Sequence, residues 1–283
     1  MRFTPRFAAV AGTEFAIIAW LGGPGGGWRE LARVDVPDTR LAPRTVVESI
    51  DPGVEVVPAN LLRFSLAFSS AMEEGSAAGH IHLLDESGTV MAGSLLAMPP
   101  ELWDRDRRRL TVLIEPGRIK RGLQPHVQAG APLREGSNVT LVVEAGMRDA
   151  DGSPLVEEAR RTFRVEPPIR SRIDPTAWEV SWPETPTGPI AVRFDRPLDR
   201  LLVQRYLRPI DGSGDPASGH TSLDNTARNW SFTPIEDSNN LRLRVDARLE
   251  DLAGNSVRRV FDRDLQRPED TNFDAAEIVL APN

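Results

Sequence analysis

The sequence predicts an all-β protein built of tandem antiparallel β-sandwiches. Short apolar runs with a period of two residues recur along the chain, and no stretch keeps a helical period over three turns. The 24 prolines and 22 glycines are spread between these runs, as expected for many strands joined by frequent turns. A late strand and the turn that follows it also occur twice, and this internal repeat decides the architecture.

The first copy of the repeat is V-T-L-V-V-E-A-G-M-R-D-A-D-G-S-P-L at 139–155, and the second copy is L-R-L-R-V-D-A-R-L-E-D-L-A-G-N-S-V at 241–257. In each copy an aspartate, Asp149 or Asp251, opens the pattern D-x-x-G-x-x-[LV]. An aspartate side chain in a turn can accept hydrogen bonds from nearby backbone N–H groups, and glycine can take a positive φ. The shared residues are therefore those that a strand and its turn require, and they predict the place where each sandwich closes.

The repeat and two proline-bearing linkers, at 37–43 and 166–175, divide the chain. Their prolines favour extended spacers. We expect a partial unit at 1–38, two complete units at 45–166 and 175–266, and a tail at 267–283 that is either a last strand or the start of a following segment.

Alternation predicts the strands of the complete units, most clearly in the apolar face that 62–68 presents. The first complete unit has predicted strands at 45–50, 62–68, 78–84, 90–98, 109–115, 139–143 and 161–165. The second has them at 178–182, 190–194, 202–209, 220–223, 229–233, 241–245 and 257–265. The connection at 116–136 is expected to be a long loop.

The first residues allow two interpretations. Arg2 and Arg6 precede an apolar run, as in a signal peptide, but Glu14 interrupts that run and no cleavage site is evident. The residues at 3–5 instead match those at 232–234, which favours a strand. The uncharged stretch after Glu14 is far shorter than the ~20 residues that a membrane-spanning helix needs.

Under the favoured interpretation, 1–38 is the closing half of a sandwich whose opening strands are missing. Phe15, Ile17 and Ala19 are predicted to alternate inward, and 28–36 to return as the partner strand after a glycine-rich turn. The chain is then either a fragment or has a misassigned start.

Composition and motifs exclude several classes of function. The net charge of −7 and the pI of about 5.3 argue against a nucleic-acid binder. The absence of cysteine excludes disulfides, thiolate metal sites and thiol catalysis. No G-x-S-x-G elbow, P-loop or G-x-G-x-x-G motif is present. We therefore predict no enzyme, no catalytic residue and no cofactor.

The second strand of each unit and its late strand resemble the bacterial immunoglobulin-like domains of surface-layer type, called SbsA-like or Big-type. The matching residues are F-S-x-x-M at 68–72, more weakly 194–198, and D-L-A-G-N at 251–255, for which 149–153 has serine in place of asparagine. The resemblance covers 45–265, with a half copy at the start of the chain. It implies tandem immunoglobulin-like antiparallel β-sandwiches and an extracytoplasmic protein, and it carries over no functional residue.

Two sets of residues are candidate metal ligands. His80 and His82 alternate on a predicted strand, which would place both imidazoles on one face, but a third ligand is missing. Asp149 and Asp151 could ligate calcium, yet the second copy has Ala253 where the first has Asp151. We therefore expect turn stabilisation from Asp149 and predict no metal site.

The residues predicted to bind a partner are Arg118, Lys120 and Arg121, close to His126 in the long connection. On an acidic protein this positive charge could dock a protein or a cell-surface polymer. Trp178 and Trp182 share a strand face and could stack on a carbohydrate, although core packing is the expected use.

The sequence thus predicts a non-enzymatic structural or binding module of a bacterial envelope or exported protein. Two alternatives remain open at this point. One is an adhesion or assembly protein that binds its partner through the connection at 116–136. The other is an accessory region of a larger extracellular enzyme.

Overall fold

The computed structural model describes residues 14–23, 26–36, 44–185, 187–236, 240–264, 267 and 270–282. The chain forms two compact units, Met1–Arg44 and Thr45–Asn283. The predicted linker at 37–43 and the predicted match at 3–5 lie outside the described residues. The fold is all-β, with several sheets and three short helices among the described residues.

The first unit contains a β-hairpin of β1 (Glu14–Leu21) and β2 (Gly27–Asp35), which pair antiparallel as predicted. The inward alternation predicted for β1 is wrong within this unit, because Phe15 is 44% exposed and Ile17 38% exposed. A two-stranded hairpin has no second layer to cover its faces. The assignment of 1–38 as a partial sandwich stays a prediction, as do the other unit boundaries.

The first sandwich lies in Thr45–Asn283 and consists of two four-stranded sheets, β3-β5-β8-β7 and β4-β10-β9-β6. Its strands are β3 (Val47–Asp51), β4 (Val56–Pro58), β5 (Arg63–Phe68), β6 (Ile81–Leu84), β7 (Leu102–Trp103), β8 (Arg109–Leu113), β9 (Asn138–Val143) and β10 (Ala159–Glu166). The predicted antiparallel pairing holds for most neighbours, but β4 runs parallel to β10.

Alternation explains the core of the first sandwich. Phe64 and Leu66 on β5 are fully buried, as are Leu141 on β9 and Phe163 on β10. The rings of Phe64 and Phe163 lie 5.5 Å apart and join the two sheets. Side chains two residues apart on a strand share a face, so each strand supplies one buried row.

Two predicted features of the first sandwich are wrong. Residues 90–98 form only isolated bridges at Val90 and Leu95 rather than a strand. The connection at 116–136 contains two short helices, α1 (Pro116–Ile119) and α2 (Gln124–Ala129), each with proline in its first turn. Proline suits that position because the first backbone N–H groups of a helix have no intrahelical acceptor.

The second sandwich has a four-stranded sheet, β11-β12-β15-β14, and a three-stranded sheet, β13-β16-β17. Its strands are β11 (Glu179–Ser181), β12 (Ile190–Arg193), β13 (Leu207–Ile210), β14 (Gly219–Leu223), β15 (Asn229–Pro234), β16 (Arg242–Asp246) and β17 (Glu277–Leu280). A 3-10 turn at Pro175–Ala177 precedes β11.

Two strands predicted for the second sandwich are corrected. The strand predicted at 202–209 begins as α3 (Arg200–Tyr206), because the Asp199 side chain accepts hydrogen bonds from the N–H groups of Leu201 and Leu202 and caps a helix. The strand predicted at 257–265 is absent from its described part, 257–264. The closing strand is β17, which lies in the predicted tail and pairs with β16.

The two copies of the internal repeat make the same contacts in the two sandwiches. Met72 bridges Asp149 in the first sandwich, and Leu198 bridges Asp251 in the second. Asp149 Oδ1 accepts hydrogen bonds from the backbone N–H groups of Asp151 and Ser153, and Asp251 Oδ1 accepts the equivalent pair. The glycines of the two turns have φ of 80° and 76°. The predicted turn chemistry is confirmed.

Candidate functional site

The two sandwiches meet at a junction where the turn of the second copy lies against β5 of the first sandwich. The N–H of Leu62 donates to the carbonyl of Leu252 over 2.9 Å. At Gly254 an added Cβ would lie 2.5 Å from Leu62 Cδ2. The turn that closes the second sandwich therefore also contacts its neighbour.

The two sandwiches also approach each other closely at Gly53, where an added Cβ would lie 2.1 Å from the carbonyl oxygen of Asn225. We expect Gly53→Ala to lower the free energy of unfolding by about 1–3 kcal/mol, because the two segments must separate to admit the methyl group. Urea unfolding measures this. Gly27→Ala is the matched control, since its Cβ would meet nothing within 4 Å; equal effects of the two variants would contradict a tight junction.

Arg63 is the central charge of the junction. Its Nε donates to Asp199 Oδ2 at 2.7 Å and its Nη2 to Glu250 Oε2 at 2.6 Å. Burial by itself would lower the Arg63 pKa, but the two carboxylates raise it above its ordinary value. A charged guanidinium thus joins β5 of the first sandwich to the helix cap and the closing turn of the second.

A second ion cluster lies around Asp262, whose side chain is only 3% exposed. Burial would raise the Asp262 pKa, but hydrogen bonds from Arg121 and Arg170 lower it. Arg121 Nε lies 2.7 Å and Arg170 Nε 3.1 Å from Asp262 Oδ2. Lys120 Nζ lies 4.3 Å from the centre of the Phe261 ring, within cation–π range.

The linker between the sandwiches is held from both sides at Ile169. The Asn60 amide pairs with the backbone of Ile169, donating to its carbonyl at 2.7 Å and accepting from its N–H at 2.9 Å. Asn255, fully buried in the turn of the second copy, donates to the same carbonyl at 3.0 Å. Asn255, at whose position the first copy has Ser153, therefore fixes the linker.

Comparisons with known proteins assign no family. No family model matches the chain, and no curated protein matches it. Among solved structures the chain is similar to the S-layer protein rSbsC(31-844), with 13% identity and a TM-score of 0.29 over 71% of this chain and 23% of that one. It is also similar to domains 1-6 of the surface layer protein SbsC, with 12% identity and a TM-score of 0.31 over 84% of this chain and 25% of that one.

A third similar structure is native alpha-2-macroglobulin from Escherichia coli spanning domains MG0-NIE-MG1, with 6% identity and a TM-score of 0.28 over 84% of this chain and 71% of that one. The chain spans about a quarter of the length of the two S-layer chains. At these TM-scores the similarities establish neither the family nor the function of this chain.

Each residue of the predicted basic site contacts another part of the same chain. Arg118 donates to the carbonyls of Gly130 and Ala129 within its own connection and to the carbonyl of Gly93 outside it. Lys120 and Arg121 instead contact the second sandwich, as described above. Partner binding through Arg118, Lys120 and Arg121 stays a prediction.

The candidate metal ligands also have partners in the chain. His80 Nδ1 lies 3.0 Å from the carbonyl of Ser76, and His82 Nε2 lies 3.2 Å from Glu144 Oε1. Thr45 Oγ1 donates to Asp149 Oδ2 at 2.8 Å. The described residues contain no group of three or more histidine or acidic side chains placed to hold a metal ion.

Asp251 is the most perturbed carboxyl group near the junction. Its side chain is fully buried, and burial raises its pKa from 3.8 to about 6 against the opposing hydrogen bonds from Asn255 and the charge of Arg196. Trp178 and Trp182 pack in or against the second core, as expected. None of the helices in the described ranges is long and apolar enough to cross a membrane.

Single-sequence reasoning missed Arg63, Asp199, Glu250 and Asp262. Arg63 follows an alternating strand pattern on its polar face, and its partners lie 136 and 187 positions away. No local signal in the sequence marks such a pair. Asn255 stands out in the sequence only as part of the D-L-A-G-N motif, which assigns it no contact.

Proposed function

We propose that the chain is a non-enzymatic structural module of a bacterial envelope or exported protein, in which the two sandwiches act as one rigid spacer. The junction around Arg63 supports this proposal. Neighbouring domains of one chain ordinarily move relative to each other unless their interface is large and hydrophobic. At this junction Leu252 of the second sandwich is part of the first core, and Phe261 packs against that core. Separating the two sandwiches would also pull Arg63 away from Asp199 and Glu250. Breaking such a hydrogen-bonded set of partly buried charges is strongly unfavourable, because each charge loses its partner.

The junction also holds the linker in place, whereas a flexible linker would make few contacts with either sandwich. Asn60 of the first sandwich and Asn255 of the second both bind Ile169. Arg170, one residue further, joins the Asp262 cluster. The linker thus lies within the junction and serves as part of the spacer. An extracytoplasmic location is proposed on the resemblance of the strand and turn motifs to surface-layer immunoglobulin-like domains.

Nitrogen-15 NMR relaxation of the full chain tests the spacer. We expect amides of the first and second sandwich to report one shared rotational correlation time. In Arg63→Met combined with Asp262→Asn, the two sandwiches should report shorter and separate correlation times. Independent tumbling in the unmodified protein would contradict the proposal.

The basic connection at 116–136 supports a second candidate function, the binding of a partner, which a variant of the same protein can test. Because Arg121 shares a buried carboxylate with Arg170, Arg121→Ala should lower the free energy of unfolding by about 1–3 kcal/mol. Urea unfolding measures the change, with Arg164→Ala as a control in an exposed ion pair. Unchanged stability would remove Arg121 from the junction and leave it to the predicted partner-binding role.

A further inference from the structure

The first sandwich encloses an apolar cleft that the junction does not use. The cleft has a volume of about 710 Å³ and opens between β6 and β7, the edge strands of the two sheets. Ile81 and Leu83 of β6 line one wall and Val112 of β8 the other, with Met91 and Leu95 across the opening. Clefts of this size with mainly hydrophobic walls are typical of small-molecule sites.

The backbone around the cleft leaves little room for an added strand. Val90 bridges Leu84, and the N–H of Met91 donates to the carbonyl of Leu83 at 2.8 Å. On the other wall the N–H of Leu96 donates to the carbonyl of Leu113 at 2.9 Å. A peptide that extends a sheet needs such groups free. A ligand of this cleft is therefore held by side-chain contact.

The charges around the cleft select against anions. All its lining residues are described, and only Glu74, His82 and Glu101 among them are ionisable. Glu101 is occupied, because its carboxylate accepts from the backbone N–H groups of Gly75, Ala77 and Ala78 and from Trp103 Nε1. His82 faces Glu144. No lysine or arginine lines the cleft to pair with a carboxylate or phosphate headgroup.

We propose that this cleft binds the alkyl chain of an uncharged amphiphile. At its mouth Val90 is 52%, Met98 43% and Leu102 37% exposed. Burial of these side chains and of the ligand chain would drive binding, because apolar surface removed from water is favourable in proportion to its area. The site is independent of the rigid junction and adds ligand binding to the proposed structural role.

Titration of the full-length protein with 1-octanol, 1-decanol and 1-dodecanol tests the proposal, read out by displacement of the neutral dye N-phenyl-1-naphthylamine and by calorimetry. We expect saturable binding with one site per chain. The Kd should fall about fourfold for each added methylene group. Dodecanoate should bind more weakly than 1-dodecanol, since the cleft offers no cation.

Two substitutions at exposed lining positions, Ala78→Trp and Ala97→Trp, narrow the cleft without altering the buried core. Each should weaken 1-dodecanol binding by at least about tenfold, the equivalent of about two methylene groups. Ala191→Trp, an exposed alanine on β12 of the second sandwich, is the matched control and should leave the Kd unchanged. Non-saturable uptake, binding unaffected by both cleft variants, or equal binding of dodecanoate would overturn the proposal.

Discussion

Replacing Arg63 with methionine is expected to lower the free energy of unfolding by about 3–5 kcal/mol. The substitution would leave Asp199 and Glu250 close together with no guanidinium between them. Their side chains are only 15% and 20% exposed, so water cannot fully replace the lost partner. Methionine keeps the length of the aliphatic stem. The change in the free energy of unfolding, measured in urea, therefore reports the loss of the charge rather than the opening of a cavity.

Two further variants separate this effect from a general loss of packing. Adding Asp199→Asn and Glu250→Gln to Arg63→Met should recover much of the stability, because no unpaired charge then remains and asparagine still caps α3. Arg164→Met, in an exposed pair with Glu166, should change stability by no more than about 1 kcal/mol. Equal losses for Arg63→Met and Arg164→Met would contradict a structural role for the Arg63 pair.

The second large effect is a pH dependence that originates at Asp251. Burial raises its pKa from 3.8 to about 6, a difference of about 3 kcal/mol. Because the folded pKa lies above the unfolded one, the native state binds more protons between about pH 4 and pH 6. The contribution of Asp251 to the free energy of unfolding therefore falls as pH rises through that window.

Asp251→Asn removes this titration. Relative to the unmodified protein, the variant should gain about 3 kcal/mol in free energy of unfolding between pH 4 and pH 7, as measured by urea unfolding at both pH values. Asp224→Asn is the control. Burial by itself would raise the Asp224 pKa, but the hydrogen bonds that its carboxylate accepts from Thr226 and Asn229 lower it, so the effect of this variant is confined to lower pH. A constant difference between Asp251→Asn and the unmodified protein would show that Asp251 does not titrate in this window.

Local sequence patterns predict most of the strands and both closing turns. The alternation at 62–68 and 139–143 places β5 and β9 correctly, and the repeated D-x-x-G marks both closing turns. Where local patterns conflicted, the prediction was wrong. Leu202 and the apolar residues after it suggest a strand, but the cap at Asp199 starts a helix whose apolar residues face the core three and four positions apart.

The junction could not be predicted, and a last strand is only one of the two interpretations that the sequence allows for the tail at 267–283, since both features depend on distant pairing. Val257 and Val260 are buried without forming a strand, while β17 supplies the last ladder beside β16. Lys120 and Arg121 stood out as charges, but their partners at Phe261 and Asp262 lie about 140 positions away. A single sequence gives the residue types at such a contact and leaves their pairing open.

If the two sandwiches form one rigid body, as we propose, the distance between a site in one and a site in the other should have a single value. The chain has no cysteine, so nitroxide labels can be attached only at Asp106→Cys in the first sandwich and Ala191→Cys in the second, both at exposed positions. Double electron–electron resonance should give a single narrow distance distribution, which Arg63→Met combined with Asp262→Asn broadens. A broad distribution in the protein with an intact junction would contradict a rigid connection between the two sandwiches.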